Sequence, residues 1–309
     1  MVNLEFVERK SAVLTPSSLV CLSKTATINL TSGCAHGCAY CYTKGYSSFP
    51  GESTVRLYEN IAEKLDQELA KKRILPRSVY FSPSSDLFQP IPEVQALGLR
   101  VVETLLQRGI GVAFLTKGTI GEKFFELFAK HPRLVQARIG LITTNQSLLS
   151  QLEPGAASVA LRLKQAKRLI QLGIQTSMRA DPIIPGLTDD EITFENLCSQ
   201  MRAVGVQELA ASILFLRPAI SLSLQKSLGG TKLLQTIQSR FVKSKRLSIH
   251  AEHSTVNALP IEERREIFAR LKKLTDHHGL CLRLCACKNP DIDSGSCLIA
   301  GIWNEPLLF

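Results

Sequence analysis

The sequence predicts an α/β protein: a partial (β/α)6 barrel of parallel strands, followed by a cysteine-rich C-terminal extension. Three observations carry this expectation. Strand-like and helix-like segments alternate between Thr25 and Pro218, and such alternation requires a parallel sheet with right-handed crossovers. The six strand-like segments are too few for a complete eight-unit barrel. The cysteines bunch at two places, directly after the first strand and after Gly279. A doubly wound open sheet competes, because both architectures bury strands at similar spacing.

Each element has its own pattern. Thr25–Leu30 is strand-like and leads into the first cysteine loop. Thr54–Lys72 reads as a helix, with Leu57, Ile61, Leu65 and Leu69 recurring at every fourth position. Ser78–Ser82 is a short apolar strand, Val94–Gln107 a helix, and Gly111–Thr116 a strand ending at Lys117. Gly121–Lys130 is helical and Leu134–Thr143 strand-like. Ser158–Leu172 is an amphipathic helix with Val159, Leu163, Ala166 and Ile170 on one face. Gln175–Arg179 is a strand, Asp189–Val204 a helix and Glu208–Leu216 a strand.

After Pro218 the alternation ends. Leu228-Gly229-Gly230 breaks the pattern, and a basic helical stretch runs to about Arg246. Ile261–His278 is a charged helix, with Glu262 and Glu263 early and His277 and His278 late, as the helix dipole prefers. Gly279 is its expected C-cap. The expected division is a core with an N-terminal extension over 1–218 and a C-terminal extension over 219–309.

Of 309 residues, 45% are hydrophobic and 21% charged, ample for a large core. No run approaches the roughly 18 apolar residues of a spanning helix. Met1–Lys10 carries Glu5, Glu8, Arg9 and Lys10 where a signal peptide would be apolar. The chain therefore reads as a cytoplasmic protein with no membrane partner. Of the nine cysteines, three fall between Cys34 and Cys41 and four between Cys281 and Cys297, while Cys21 and Cys198 stand alone; in a reducing cytosol such clusters point to metal or redox chemistry rather than disulfides. The net charge of +10 favours anionic partners, nucleic acid above all, although a basic enzyme without such a partner explains it equally.

Residues 33–42 read GCAHGCAYCY, placing Cys34, Cys38 and Cys41 on one short loop. Three thiolates can hold three irons of a cubane and leave the fourth open. Gly33 and Gly37 let the backbone wrap closely, and Tyr40 can lay its ring against a cofactor. A zinc site with His36 as fourth ligand is the alternative, but His36 sits inside the loop, where closing a tetrahedron is strained.

Cys-x3-Cys-x-aromatic-Cys after the first strand of a βα array resembles the radical S-adenosylmethionine superfamily. The segments TINLTSGCAHGCAYCY, FSPSSDLFQPI, FLTKG and DPIIPGLTDD look like its spore photoproduct lyase-like branch, sometimes labelled DNA repair photolyase, over roughly residues 10–217. The resemblance implies a [4Fe–4S] cluster, S-adenosylmethionine, a lyase-like radical enzyme and a flavodoxin- or ferredoxin-like electron donor. It also implies a set of cofactor-binding residues at the carboxyl ends of the strands. Ser84, Ser85 and Asp86 stand where the superfamily often has Gly-Gly-Glu, and this departure leaves their role open against a plain Ser-Pro-Asp turn. Lys117 would pair with the methionyl carboxylate. Thr144 and Asn145 would reach the ribose, Arg179 ends the fifth strand, and the turn at Ile184 resembles the adenine-contacting segment. Glu153 and Arg162 carry charge without a defined role. Catalytic side chains acting on the substrate are not identified.

Cys281, Cys285, Cys287 and Cys297 are spaced Cys-x3-Cys-x-Cys-x9-Cys. An auxiliary [4Fe–4S] cluster, a zinc ion and metal-free thiols all remain open, and Cys281 is the ligand that His277, His278 or substrate could replace. The leading function is a radical enzyme acting on an unidentified substrate, with nucleic acid foremost. The alternatives are modification of a peptide or small molecule by a radical enzyme with an auxiliary cluster, and a non-catalytic iron–sulfur or zinc protein that binds nucleic acid.

Overall fold

The computed structural model describes residues 2–17, 19–250, 254–292 and 295–303. Parts of the expected C-terminal extension, 251–253, 293–294 and 304–309, lie outside the described residues.

The chain begins with β1 (Asn3–Val7) and β2 (Thr15–Pro16), and a short 3-10 turn at Val20–Leu22 leads to β3 (Ala26–Ile28). The cysteine loop lies between β4 (Thr31–Ser32) and β5 (Thr54–Tyr58), and α1 (Ile61–Lys71) follows. Next come β6 (Ser78–Phe81), α2 (Pro92–Gln107), β7 (Gly111–Thr116), α3 (Glu122–Lys130) and β8 (Val135–Gly140). After these lie α4 (Gln146–Leu152), α5 (Val159–Gln171), β9 (Gln175–Ile183), α6 (Glu191–Ala203) and β10 (Glu208–Ile213). The remainder is α7 (Pro218–Leu228), α8 (Lys232–Arg240), the antiparallel pair β11 (Lys245–Ile249) and β12 (Ser254–Ala258), α9 (Ile261–His277) and β13 (Cys281–Leu284).

The main sheet has the order β2-β3-β6-β7-β8-β9-β10-β13. Only β2 runs antiparallel to its neighbour. The six expected strands lie side by side in the order in which the chain makes them. A doubly wound sheet reverses that order at a switch point, so the absence of a reversal among these strands selects the partial barrel. β13 adds a further parallel strand beside β10, with Glu208 opposite Cys281.

Alternation along each strand divides the two faces of the sheet. Val79 and Phe81, Val112 and Phe114, Val135 to Ile139 at every second position, Met178 and Ala180, and Leu209 and Ala211 all belong to the large core under the helices. The intervening residues face the barrel interior: Tyr80, Ala113 and Ala210 join a smaller cluster with Cys285, Cys297 and Ile299. The C-terminal segment fills this interior. Ile302 N donates to Gln136 Oε1 at 2.8 Å, Arg138 donates to the Leu298 carbonyl, and a Cβ on Gly111 would lie 2.4 Å from the Trp303 ring.

Two expectations need correction. The helix expected over Thr54–Lys72 begins only at Ile61, because Thr54–Tyr58 pairs in parallel with β1. Val55 and Leu57 are buried while Arg56 between them is exposed, the period of a strand. Ile61, Leu65 and Leu69 do form the buried stripe of α1, each contributing about 1.5–3 kcal/mol of apolar burial. The basic stretch expected to stay helical to Arg246 ends at Arg240, and Lys245–Ile249 forms β11.

Candidate functional site

The cysteine loop is held by its neighbours on three sides. Ala35 N donates to Oε1 of the fully buried Gln89 at 2.9 Å, Ala39 N to Leu152 O at 2.8 Å, and Gly155 N to His36 O at 2.9 Å. Gly155 is required by this close approach, since a Cβ there would meet the Ala35 carbonyl at 2.2 Å. Gly33 takes φ +85, with a Cβ position 2.4 Å from Thr54 O. His36 is buried; its Nδ1 lies 3.0 Å from Gly155 O and its Nε2 3.0 Å from Asp86 Oδ2. Nδ1 is hydrogen-bonded and Nε2 faces the Asp86 carboxylate, so His36 ties the loop to the segments that follow α4 and β6 rather than turning toward the three thiols.

Cys34, Cys38 and Cys41 are free and half-buried. Burial raises the Cys34 thiol well above its usual range, and the neighbouring Asp86 adds to this. Burial pushes Cys38 up to about 12 against the pull of Lys117. Such thiols stay protonated until a metal displaces the protons and supplies the missing positive charge.

Behind the loop lies a buried charge cluster. Glu153 is wholly buried; it accepts the Tyr40 hydroxyl, lies 3.1 Å from Lys117 Nζ and meets Arg162 Nη2 at 2.6 Å. Burial opposes its ionisation, but Lys117 and then Arg162 prevail and hold it at about 2. Lys117 Nζ also donates to Tyr40 Oη at 2.7 Å. Asp86 accepts from Thr116 Oγ1 at 2.8 Å, Lys117 N at 2.9 Å and Phe88 N at 2.8 Å. Its oxygens are thus committed to holding the ends of β6 and β7 against the cysteine loop. Burial again opposes ionisation, yet His36 and these donors leave its pKa below the usual value.

A cavity of about 220 Å³ opens at these strand ends, where ligands bind in parallel sheets. Cys34, Cys38 and Cys41 line it, as do Tyr40, Ser84, Ser85, Asp86, Lys117 and Arg179 of the expected set. The hydroxyls of Ser82 and Ser85 are buried there with no partner among the described residues, an arrangement that calls for a polar ligand. Ser82 also takes φ +54, strained for a residue with a side chain. Leu214 and Phe215 supply an apolar wall. Asp181 joins Arg179 Nη2 at 2.7 Å to Lys288 Nζ at 2.7 Å; burial opposes its charge, but Lys288 and Arg179 hold it at about 2.

Three expected cofactor residues do not line this cavity. Asn145 is exposed and caps α4 through Leu148 N at 3.1 Å, and Thr144 precedes it outside the cavity. Ile184 is fully buried; its N–H donates to Thr188 Oγ1 at 2.7 Å and its carbonyl accepts from Leu187 N and Thr188 N. Ser82 and Lys288 were not singled out by the sequence, and Glu153 had no role there. For Ser82 the signal was available, since it occupies the first position past β6.

The tail cysteines divide. Cys285 and Cys297 are buried in the barrel interior with Cys287 packed against them. Cys281 opens β13 at the opposite end from Cys285 and is exposed, so the strand's length keeps it apart. His277 and His278 gather instead with Glu195, where His278 Nε2 lies 2.6 Å from Glu195 Oε1. Cys21, from the turn before β3, packs beside the other three.

Residues 28–196 match the family model described as the Radical SAM superfamily. A curated protein named Radical SAM Nalpha-GlyT isomerase, from Pseudomonas phage M6, is 29% identical over 174 residues, 56% of this chain and 35% of that protein. An uncharacterised protein of Mycobacterium tuberculosis is 26% identical over 217 residues, 67% of this chain and 64% of that one. The chain thus spans about a third of the phage protein's length and just under two thirds of the mycobacterial one's. Spore photoproduct lyase complexed with dinucleoside spore photoproduct has a similar fold, with TM-score 0.68 at 15% identity, over 90% of this chain and 81% of the lyase. A mutant form of that lyase, with AdoMet and the dinucleoside bound, matches equally well.

Proposed function

Because the chain belongs to the radical S-adenosylmethionine superfamily, whose model covers residues 28–196, we propose that it reductively cleaves S-adenosylmethionine and turns the resulting radical on a nucleic-acid substrate. The observation that carries the cleavage is a single cavity uniting three free thiols, two unpartnered hydroxyls and a lysine. Cys34, Cys38 and Cys41 would ligate three irons of a [4Fe–4S] cluster. Among the described residues lining the cavity, their loop offers no fourth ligand, since His36 is engaged elsewhere. When bound, such a cluster would supply the electron for reductive cleavage of S-adenosylmethionine, chemistry that gives methionine and a hydrogen-abstracting 5′-deoxyadenosyl radical.

The chain's own residues then bind and orient. Lys117, fixed by Glu153 and Tyr40, offers its ammonium to the methionyl carboxylate. Ser82 and Ser85 offer hydroxyls to the methionyl polar groups. Asp86 keeps the cysteine loop and the β7 end in register and is a positioning residue. Leu214 and Phe215 offer an apolar face to the adenine. A flavodoxin- or ferredoxin-like donor would reduce the cluster.

Two observations support a nucleic-acid substrate: the net charge of +10, and the dinucleoside bound by the similar lyase. Binding to DNA and RNA over a range of salt tests this. Affinity should fall steeply as salt rises, because each neutralised phosphate releases counterions. A lack of binding at low salt would overturn the nucleic-acid substrate in favour of a peptide or small molecule, without touching the cleavage reaction.

A further inference from the structure

Four thiols from two distant parts of the sequence, Cys21 and the tail cysteines Cys285, Cys287 and Cys297, converge inside the barrel. Cys21 comes from the turn between β2 and β3, at one edge of the main sheet. Cys285 and Cys287 follow β13, at the other edge. Cys297 comes from the segment that fills the interior. Their side chains share one small cluster, with Cys21 and Cys287 packed against the group that holds the buried Cys285 and Cys297. Cys285 and Cys297 are 3% and 5% exposed, so this group sits within the protein. Cys21, Cys285 and Cys287 open onto the same cavity as Cys34, Cys38 and Cys41.

A second observation demands negative charge at this place. Arg138 and Arg179 are both buried, at 5% and 4% exposure, and both lie close enough to Cys297 to feel its charge. Arg179 is paired with Asp181. Arg138 has no carboxylate within salt-bridge distance among the described residues, and its Nη1 is buried without a partner. A buried cation left uncompensated is strongly unfavourable. A protonated thiol brings no compensating charge, whereas four thiolates around a metal centre of charge about +2 leave a net charge of about −2 beside it.

We propose that Cys21, Cys285, Cys287 and Cys297 together ligate a second [4Fe–4S] cluster, with Cys21 and not Cys281 as the fourth ligand. Soft thiolates select zinc or iron–sulfur centres, and the local spacing favours the cluster. The Cys285-Ala286-Cys287 spacing is tighter than the two to four intervening residues of a zinc knuckle. All four irons of this cluster are held by protein thiolates, so it carries electrons without coordinating substrate. It thereby differs from the centre on the three-cysteine loop.

The test uses the full chain, reconstituted with iron and sulfide under anaerobic conditions. In the C34A/C38A/C41A background, the tail should retain about four irons and four sulfides per chain. Adding Cys21→Ala should reduce this to near zero, while adding Cys281→Ala should leave it unchanged. Thiol alkylation of the unsubstituted holoprotein, read by mass spectrometry, gives an answer that no folding failure can obscure. Cys281 should label at once, and Cys21, Cys285, Cys287 and Cys297 only after the iron is chelated. Stoichiometric zinc in the triple variant, no metal there, equal iron in the Cys21 and Cys281 variants, or prompt labelling of Cys21 in the holoprotein would each overturn the proposal.

Discussion

Glu153→Gln is the substitution whose consequence the structure defines most sharply. It keeps the side chain's shape and removes the charge shared by Lys117, Arg162 and the Tyr40 hydroxyl, at a position with no solvent exposure. Removing one member of a buried ion pair costs roughly 3–5 kcal/mol. The drop of the Glu153 pKa from 4.5 to about 2 gives a similar figure, about 3 kcal/mol at ~1.36 kcal/mol per pH unit. Because the folded value is the depressed one, this stabilisation is fully present above about pH 4.5 and is lost as the pH falls through about 2. The metal-free variant should therefore unfold about 3 kcal/mol more easily at pH 7, a fall in Tm of about 5–10 °C. The gap from the unsubstituted protein should hold to pH 5 and close toward pH 2. Denaturation followed by circular dichroism at pH 7, 5 and 3 measures it. Equal stability at pH 7, or a gap that ignores pH down to 2, would refute the reasoning.

Three further substitutions probe the same architecture. Gly155→Ala drives a methyl into the Ala35 carbonyl and should displace the cysteine loop, lowering 5′-deoxyadenosine formation roughly 100-fold; full activity at full iron content would contradict the docking described. Ser82→Ala removes an unpartnered hydroxyl from the cavity and should weaken S-adenosylmethionine binding about 2- to 10-fold in equilibrium dialysis, the equivalent of one hydrogen bond; unchanged affinity counts against that contact. Asn145→Ala removes the cap of α4 and should cost about 1 kcal/mol in thermal unfolding, while 5′-deoxyadenosine formation stays within about twofold of the unsubstituted protein. A larger loss of activity would return Asn145 to the cofactor.

The sequence was informative wherever chemistry is local. The alternation of strands and helices and the three-cysteine loop are both written within stretches of about thirty residues or fewer. Lys117 could be named because the LTKG segment resembles the superfamily's, and Ser85 because it follows a strand end. What stayed hidden was created by contact between distant segments. Cys21 looked solitary because its three companions lie more than 260 residues away, across the two edges of the sheet. Glu153 and Arg162 showed charge without role until folding brought them against Tyr40 and Lys117. The helix expected from Thr54 misread Leu57, whose fourfold spacing with Ile61 also fits a strand position alternating with Arg56 and Tyr58. Asn145 followed a strand and seemed aimed at a ligand, yet an Asn before a helical segment is equally a cap.

The central claim is that the loop of Cys34, Cys38 and Cys41 builds the centre at which S-adenosylmethionine is cleaved. Its most direct test is 5′-deoxyadenosine production by anaerobically reconstituted protein with dithionite and S-adenosylmethionine, compared with the C34A/C38A/C41A variant. The account predicts 5′-deoxyadenosine and methionine in equal amounts from the unsubstituted protein, and none above background from the variant. Undiminished production by the variant would contradict it.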